Sequence, residues 1–279
     1  MKHVTNENHN FARFYPAKMT EELYRKEQGM IRLMFDKIAY RYDFLNHFLS
    51  FGFDHLWRRS VVKQIGDRNA AEVLDIATGT GDLAIRTARK CKNSRVTGID
   101  ISPNMLEFGR KKIIRKKLQH QIHLSEADAE KLPYENNRFD LITVGFGVRN
   151  FEHLSIGLSE IFRVLKPGGQ LIILEFSRPE RFPLKHLYLF YFHYILTSVG
   201  KVVSRNKYAY RYFYDSVTDF PQRAALTDIL TTNGFEKCNF KPLTGGITTL
   251  YTGEKPILVA VETNEPLPED SHQVIPIVA

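Results

Sequence analysis

Glu72-Val-Leu-Asp-Ile-Ala-Thr-Gly-Thr-Gly-Asp82 is the stretch whose reading decides the fold. A short apolar run carries an acid, a Gly-x-Gly turn follows, and Leu83-Ala-Ile-Arg-Thr-Ala-Arg89 continues as a helix. In a strand–turn–helix unit of this kind, glycines at 79 and 81 let the backbone pass close to a ligand at the carboxyl end of a parallel strand.

The spacing Gly79-x-Gly81-x-x-Ala84 also fits a loose dinucleotide fingerprint. A dinucleotide site lays its pyrophosphate on the helix N-terminus, where the dipole attracts an anion. Asp75 and Asp82 put two carboxylates around that point, an arrangement that repels phosphate and favours a cation. A sulfonium nucleoside such as S-adenosylmethionine is a ligand of that kind.

Outward from this unit the chain alternates strand and helix, which implies an α/β fold with a mostly parallel sheet and helices on both faces. The pattern predicts strands over Glu72–Ala77, Arg95–Asp100, Gln121–Ser125, Phe139–Gly145 and Gln170–Phe176, with helices over Leu83–Lys90, Pro103–Leu118 and His153–Leu165. Lys166-Pro-Gly-Gly169 reads as a stop and turn before the fifth strand. Pro221–Thr232 is predicted helical, and Phe235–Pro242 and Ile247–Thr252 form an antiparallel pair through Thr244-Gly-Gly246, giving seven strands. Ligands in such sheets bind outside the carboxyl ends of the strands. Asp75, Gly79, Thr80, Gly81, Asp100, Asp128, Ala129 and the segment Gly145–Asn150 all map there.

Asp100 lies roughly 20 residues beyond Gly81, the spacing of an acid that binds a ribose hydroxyl pair. Ser102 is placed to cap the next helix, which frees Asp100 for that contact. Asp128-Ala129 follows the third strand and is placed to read an adenine amino group.

Two segments flank this core. Residues 21–66 show helical periodicity broken at Phe51-Gly-Phe-Asp54, where Asp54 is expected to cap a second helix carrying His55, Trp57 and Arg58. This aromatic prefix is expected to act as a lid. An insertion over residues 178–221 centres on Leu187-Tyr-Leu-Phe-Tyr-Phe-His-Tyr-Ile-Leu196, apolar or aromatic on every side. At about 13 residues, the run to Val199 is shorter than the ~20 needed to span a bilayer. Burial, a greasy channel and a membrane interface are all open for it.

The chain of 279 residues is 43% hydrophobic and 25% charged, enough for one sizeable domain over residues 21–261. Residues 1–20 are expected to be flexible, and residues 262–279 a disordered tail. Cys91 and Cys238 are the only cysteines, which excludes a disulfide framework and a cysteine-rich metal site. No cluster of the ten histidines is expected to bind a metal. The N-terminus lacks a signal-peptide core, so a cytoplasmic location is expected. A net charge of +8 permits nucleic acid or an anionic membrane as a partner. Its densest basic run, Arg110–Lys117, reads as a solvated helix face.

Three stretches resemble the menaquinone/ubiquinone biosynthesis C-methyltransferases, a class I S-adenosylmethionine-dependent family. They are Tyr42-Asp-Phe-Leu-Asn46 through Ser50-Phe-Gly52 and Leu56-Trp57; Asp140 to Asn150; and Arg163-Val-Leu-Lys-Pro-Gly-Gly169 through Glu175-Phe-Ser177. The chain departs from the family pattern at Asp54, where a His is usual, at Leu45, where Met is usual, and at Gly145, where some relatives carry Ser.

The resemblance implies a Rossmann-like fold and methyl transfer to a ring carbon of a polyprenylated quinol. It favours demethylmenaquinol over the ubiquinone precursor and implies peripheral membrane contact at the inner face. On this reading Arg149 stabilises the quinolate, Asn150 shares the oxygen, and a water, Asp43 or His55 takes a proton. The competing role for Arg149 is an ion pair with Glu175. The rival functions are an NAD-dependent oxidoreductase and an RNA-binding methyltransferase. The latter needs an added basic domain or an aromatic stacking platform, neither of which is evident, so no nucleic-acid partner is expected.

Overall fold

The computed structural model describes residues 28–67, 70–190 and 207–257. The expected flexible N-terminus and tail, and most of the aromatic centre of the insertion, lie outside these residues.

Helices α1 (Gln28–Leu49) and α2 (Phe53–Ile65) form the N-terminal segment. Between them Gly52 adopts φ 76 and its amide bonds the His47 carbonyl, a left-handed stop that glycine reaches without steric cost. No side chain caps α2. Asp54, expected in that role, instead accepts the Ser50 hydroxyl and the Arg58 guanidinium and lies 2.7 Å from His47 Nδ1. Helix α2 buries Trp57, Val61 and Ile65 at four-residue spacing, one face of a helix. Each such burial contributes about 1.5–3 kcal/mol.

The core follows as β1 (Glu72–Ile76), α3 (Asp82–Lys90), β2 (Arg95–Asp100), α4 (Pro103–Arg115), β3 (Ile122–Glu126), β4 (Phe139–Gly145), α5 (Leu154–Val164) and β5 (Leu165–Phe176). The insertion supplies α6 (Leu184–Phe190) and α7 (Lys207–Asp219). Helix α8 (Ala224–Thr232) and strands β6 (Glu236–Leu243) and β7 (Thr248–Glu254) complete the order.

The seven strands form one sheet in the order β3-β2-β1-β4-β5-β7-β6. β1 to β5 pair parallel, and β7 pairs antiparallel with both β5 and β6. The order reverses between β1 and β4, the switch point where such sheets open a crevice. Side chains alternate in period two, so Leu74, Ile142 and Ile173 join one buried cluster and Val73, Leu141 and Ile172 join the other.

The predicted turn at Lys166–Gly169 is corrected. This stretch belongs to β5, where Gly168 at φ 76 donates to the Lys255 carbonyl and the Lys255 amide bonds Gly169. Leu165 pairs with β4 ahead of the Pro-Gly-Gly, and the ladder resumes after a register shift at Gln170, where β7 joins on the other side.

Candidate active site

Two cavities meet under α1. The first is a cleft at the switch point, lined by Gly79, Asp100, Asp128, Ala129, Asn150 and Tyr42 among others. Asp100 closes β2, and its carboxylate accepts the Gly79 amide at 2.8 Å and the Ser102 amide at 2.9 Å. Burial pushes its carboxyl up to about 6. Ser102 caps α4 through the Met105 amide, as expected. Asp128 accepts the Glu130 amide at 2.9 Å, and Ala129 is buried beside it.

The turn itself is built differently from the expectation. Asp75 does not line the cleft. It is 1% exposed and lies one residue before the end of β1, opposite Thr143 in the ladder. Its oxygens accept the Thr143 and Thr78 hydroxyls, each at 2.6 Å. Burial pushes the carboxyl up to about 6 against those bonds. Asp75 therefore ties the loop to its strand. Asp82 is neutralised by Lys112 at 2.7 Å, with Arg58 3.9 Å away; these cations outweigh burial and hold its carboxyl low. Thr80 and Gly81 also lie off the cleft: Thr80 bonds Asp43 at 2.5 Å and receives Lys112 at 2.9 Å, while Gly81 adopts φ 80 ahead of α3.

Other acids give the cleft its negative character. Asp100, Asp128 and Glu130 line the cleft, and no Lys or Arg does so among the described residues. A donor with ribose hydroxyls and a positive sulfur fits the acceptors.

The second cavity, about 350 Å³, is walled by rings and aliphatic chains: Phe35, Tyr42, Trp57, Phe146, Phe176 and Phe213 among them. Phe35, Tyr42 and Phe146 face both cavities. Tyr42 and Phe35 lie seven residues apart on one face of α1, a spacing from which their shared position was readable.

Arg149 lines this cavity and is 6% exposed. Its guanidinium donates to Glu175 at 2.7 Å and to the Phe146 carbonyl, and lies 5.4 Å from the Phe176 ring and 5.3 Å from Phe213. The ion pair and the cavity position coexist, and Arg149 Nε is buried without a partner. Asn150 faces the donor cleft and accepts the Tyr212 hydroxyl at 3.0 Å. Burial pushes that phenol up to about 12, which keeps it a donor. Tyr212, brought in by the insertion, carried no sequence signal.

The two expected proton acceptors from the lid are both displaced. Asp43 lines neither cavity; it pairs with Lys112 at 2.6 Å and Thr80, latching α1 to the glycine turn. His55 is exposed on α2 beside Arg86, because its phase on the helix points away from Trp57. It stacks on His47 with centroids 4.4 Å apart, and a His47–Asp54–His55 cluster forms where no histidine cluster was expected. Arg58 and Arg86 bond its members, which opposes a cation there. The cavity-lining acid is Asp54, at the position of the family's usual His.

A glycine turn over the switch point, a buried acid closing β2 and a cleft without cationic side chains among the described residues suit a class I methyltransferase that uses S-adenosylmethionine. The chain belongs to the ubiE/COQ5 methyltransferase family, whose model matches residues 22–255. It is 41% identical over 230 residues to a demethylmenaquinone methyltransferase of Bacteroides fragilis, covering 82% of this chain and 94% of that one. Against the ubiquinone/menaquinone biosynthesis C-methyltransferase UbiE of Geotalea daltonii it is 45% identical over 226 residues, covering 81% and 96%. The fold alone is shared with a Haemonchus contortus phosphoethanolamine N-methyltransferase solved with S-adenosyl-L-methionine, at TM-score 0.55 and 16% identity over 72% of this chain and 52% of that one.

Proposed function

We infer that the protein methylates a ring carbon of demethylmenaquinol, a reduced polyprenylated naphthoquinone, to give menaquinol. The observation that carries this reading is the larger cavity: aromatic walls that suit a planar ring and its tail, a buried Arg149, and a wall shared with the donor cleft. The names of the relatives favour the same substrate.

The donor supplies a sulfonium methyl, already electrophilic. Asp100 holds the ribose hydroxyls and Asp128-Ala129 the base. Tyr42, Phe35 and Phe146 keep water from the junction of the cavities. Arg149, fixed by Glu175 and the two rings, places its charge where a quinol oxygen loses its proton, and this raises the electron density of the neighbouring ring carbon. Asn150, oriented by Tyr212, meets the same region from the donor side.

The tail leaves through a mouth rimmed by Phe51, Phe53, Leu184 and Leu187, which line the cavity and are exposed. Phe44, Phe48 and Phe182 add exposed rings nearby in the chain, and Arg181 and Lys185 flank the last. This surface suits the inner face of an anionic membrane, so a peripheral, cytoplasmic enzyme is proposed. No helix among the described residues is long and apolar enough to cross a membrane.

Trp57 is the chain's only tryptophan and lines the cavity. Titration with demethylmenaquinone should quench its fluorescence saturably, while NAD should not. Quenching that never saturates would contradict the assigned cavity.

A further inference from the structure

Exchange of a ring hydrogen for a methyl that leaves its sulfur without the bonding pair releases one proton overall. That proton needs an acceptor inside an apolar cavity and a way out. Among the described residues, Asp54 is the only carboxylate lining the larger cavity. Asp100 faces the donor cleft, and Glu175 is sealed behind Arg149.

Asp54 is 2% exposed, next to Trp57 and Arg58 in α2. Its Oδ1 accepts the Ser50 hydroxyl at 3.0 Å, and Ser50 also lines the cavity. Its Oδ2 lies 2.7 Å from Nδ1 of His47, whose side chain is 35% exposed. The chain of contacts thus runs from cavity to solvent in two residues.

We propose that Ser50, Asp54 and His47 form the proton exit of the methyl transfer: the quinol hydroxyl proton passes to Asp54, directly or by exchange through Ser50, then to Nδ1 of His47 in the tautomer protonated at Nε2; His47 releases the Nε2 proton to water and regains that tautomer by exchange with solvent before the next proton arrives. The ring carbon gives its electron pair to the new C–C bond, and the bond to sulfur breaks with its pair staying on sulfur. The remaining ring proton then leaves by the same route as the ring regains aromaticity, and the quinolate oxygen is reprotonated. One proton net departs.

The charges facing this group shape its role. Arg58 from α2, His47 and Ser50 from the first helix and its turn, and His55 outweigh burial and hold the Asp54 carboxyl below its usual range. Asp82 and Arg86 of α3 complete the surroundings through Arg58 and His55. A carboxylate held ionised does not store a proton; it passes it to the imidazole. This explains how the chain functions with Asp54 in place of the family's usual His, since the imidazole arrives from position 47 instead.

The proposal rests on quinol methylation, so the test first requires labelled methyl transfer by the unmodified enzyme. Absence of that transfer would sink the substrate and the exit together. Given transfer, His47→Ala should lower kcat about a hundredfold with KM and donor affinity unchanged. Added imidazole should restore it in proportion to the free base, and a solvent deuterium isotope effect should appear on the slowed step. His47→Gln, which keeps a polar group but no titratable one, should be equally slow and equally rescued. Unchanged kcat in both variants, or a loss that imidazole does not repair while the melting temperature is unaltered, would overturn the exit without touching the substrate.

Discussion

The rings of Phe146 and Phe176 stack with centroids 4.4 Å apart, and each carries a guanidinium: Arg58 5.8 Å from the first, Arg149 5.4 Å from the second. This stack joins the two ionic groups of the larger cavity, Arg58 with Asp54 and Arg149 with Glu175, through aromatic faces that also wall the substrate.

Arg149 pairs with Glu175 and is proposed to stabilise the quinolate, and two substitutions separate these roles. Removing one partner of a buried pair leaves an uncompensated charge, so Glu175→Ala should cost about 3–5 kcal/mol of stability, read as a fall in melting temperature. Arg149→Lys keeps a charge but loses the fork and the ring stacking. Its kcat should fall about 10²–10³-fold with donor affinity unchanged. Full turnover in Arg149→Lys would remove the catalytic role.

Asp100 predicts a pH dependence of donor binding. Its carboxyl, raised by burial to about 6, accepts ribose hydroxyls best when ionised. Below that pH the free protein is protonated there, so binding must release the proton, and affinity should fall about tenfold per unit. Calorimetry with S-adenosylhomocysteine across this range checks the slope, and Asp100→Asn should bind weakly at every pH with the slope gone.

The latch between Asp43, Thr80 and Lys112 holds α1 over a donor cleft of about 70 Å³, and Asp36 pins the same helix to Ser102 at 2.6 Å. If α1 gates the cleft, donor entry and release are expected to require the helix to lift. Asp43→Ala should speed donor dissociation by about tenfold, the scale of one lost hydrogen bond to a charged group. Stopped-flow release of a fluorescent donor analogue measures this. An unchanged rate would mean the donor leaves by another route.

The membrane reading also has a direct check. Phe48→Ser, Phe182→Ser and Leu187→Ser together remove exposed apolar surface without touching Arg149 or the donor cleft. Co-sedimentation with anionic vesicles should drop, and activity on vesicle-borne quinol should fall more than activity on a short-tailed, soluble one. Equal loss on both would point to damage in the cavity.

The strands were legible in the sequence as short apolar runs alternating with helical segments, and the glycine turn marked the ligand end of the first; the order of the strands in the sheet was not legible and comes from the fold. The acids were harder. Asp75 and Asp100 both sit near a strand's carboxyl end, yet Asp75 bonds Thr143 across the ladder whereas Asp100 ends β2 at the cleft. That distinction depends on where each strand stops relative to its neighbour. The lid misled for a similar reason. His55 and Asp54 are adjacent, and a rotation of one helical position sends one to the surface and the other to the cavity. Tyr212 lies within the insertion, 62 residues beyond Asn150, and only the folded chain brings them together.

The donor cleft and the aromatic cavity are proposed to act as one site on a reduced naphthoquinone. The most direct measurement supplies the purified enzyme with methyl-labelled S-adenosylmethionine and, in parallel, reduced demethylmenaquinone, the same compound oxidised, and the ubiquinone precursor. Label is expected on the ring carbon of menaquinol from the reduced naphthoquinone, with little from the other two. Label in the ubiquinone precursor alone, or equal transfer to the oxidised compound, would contradict it.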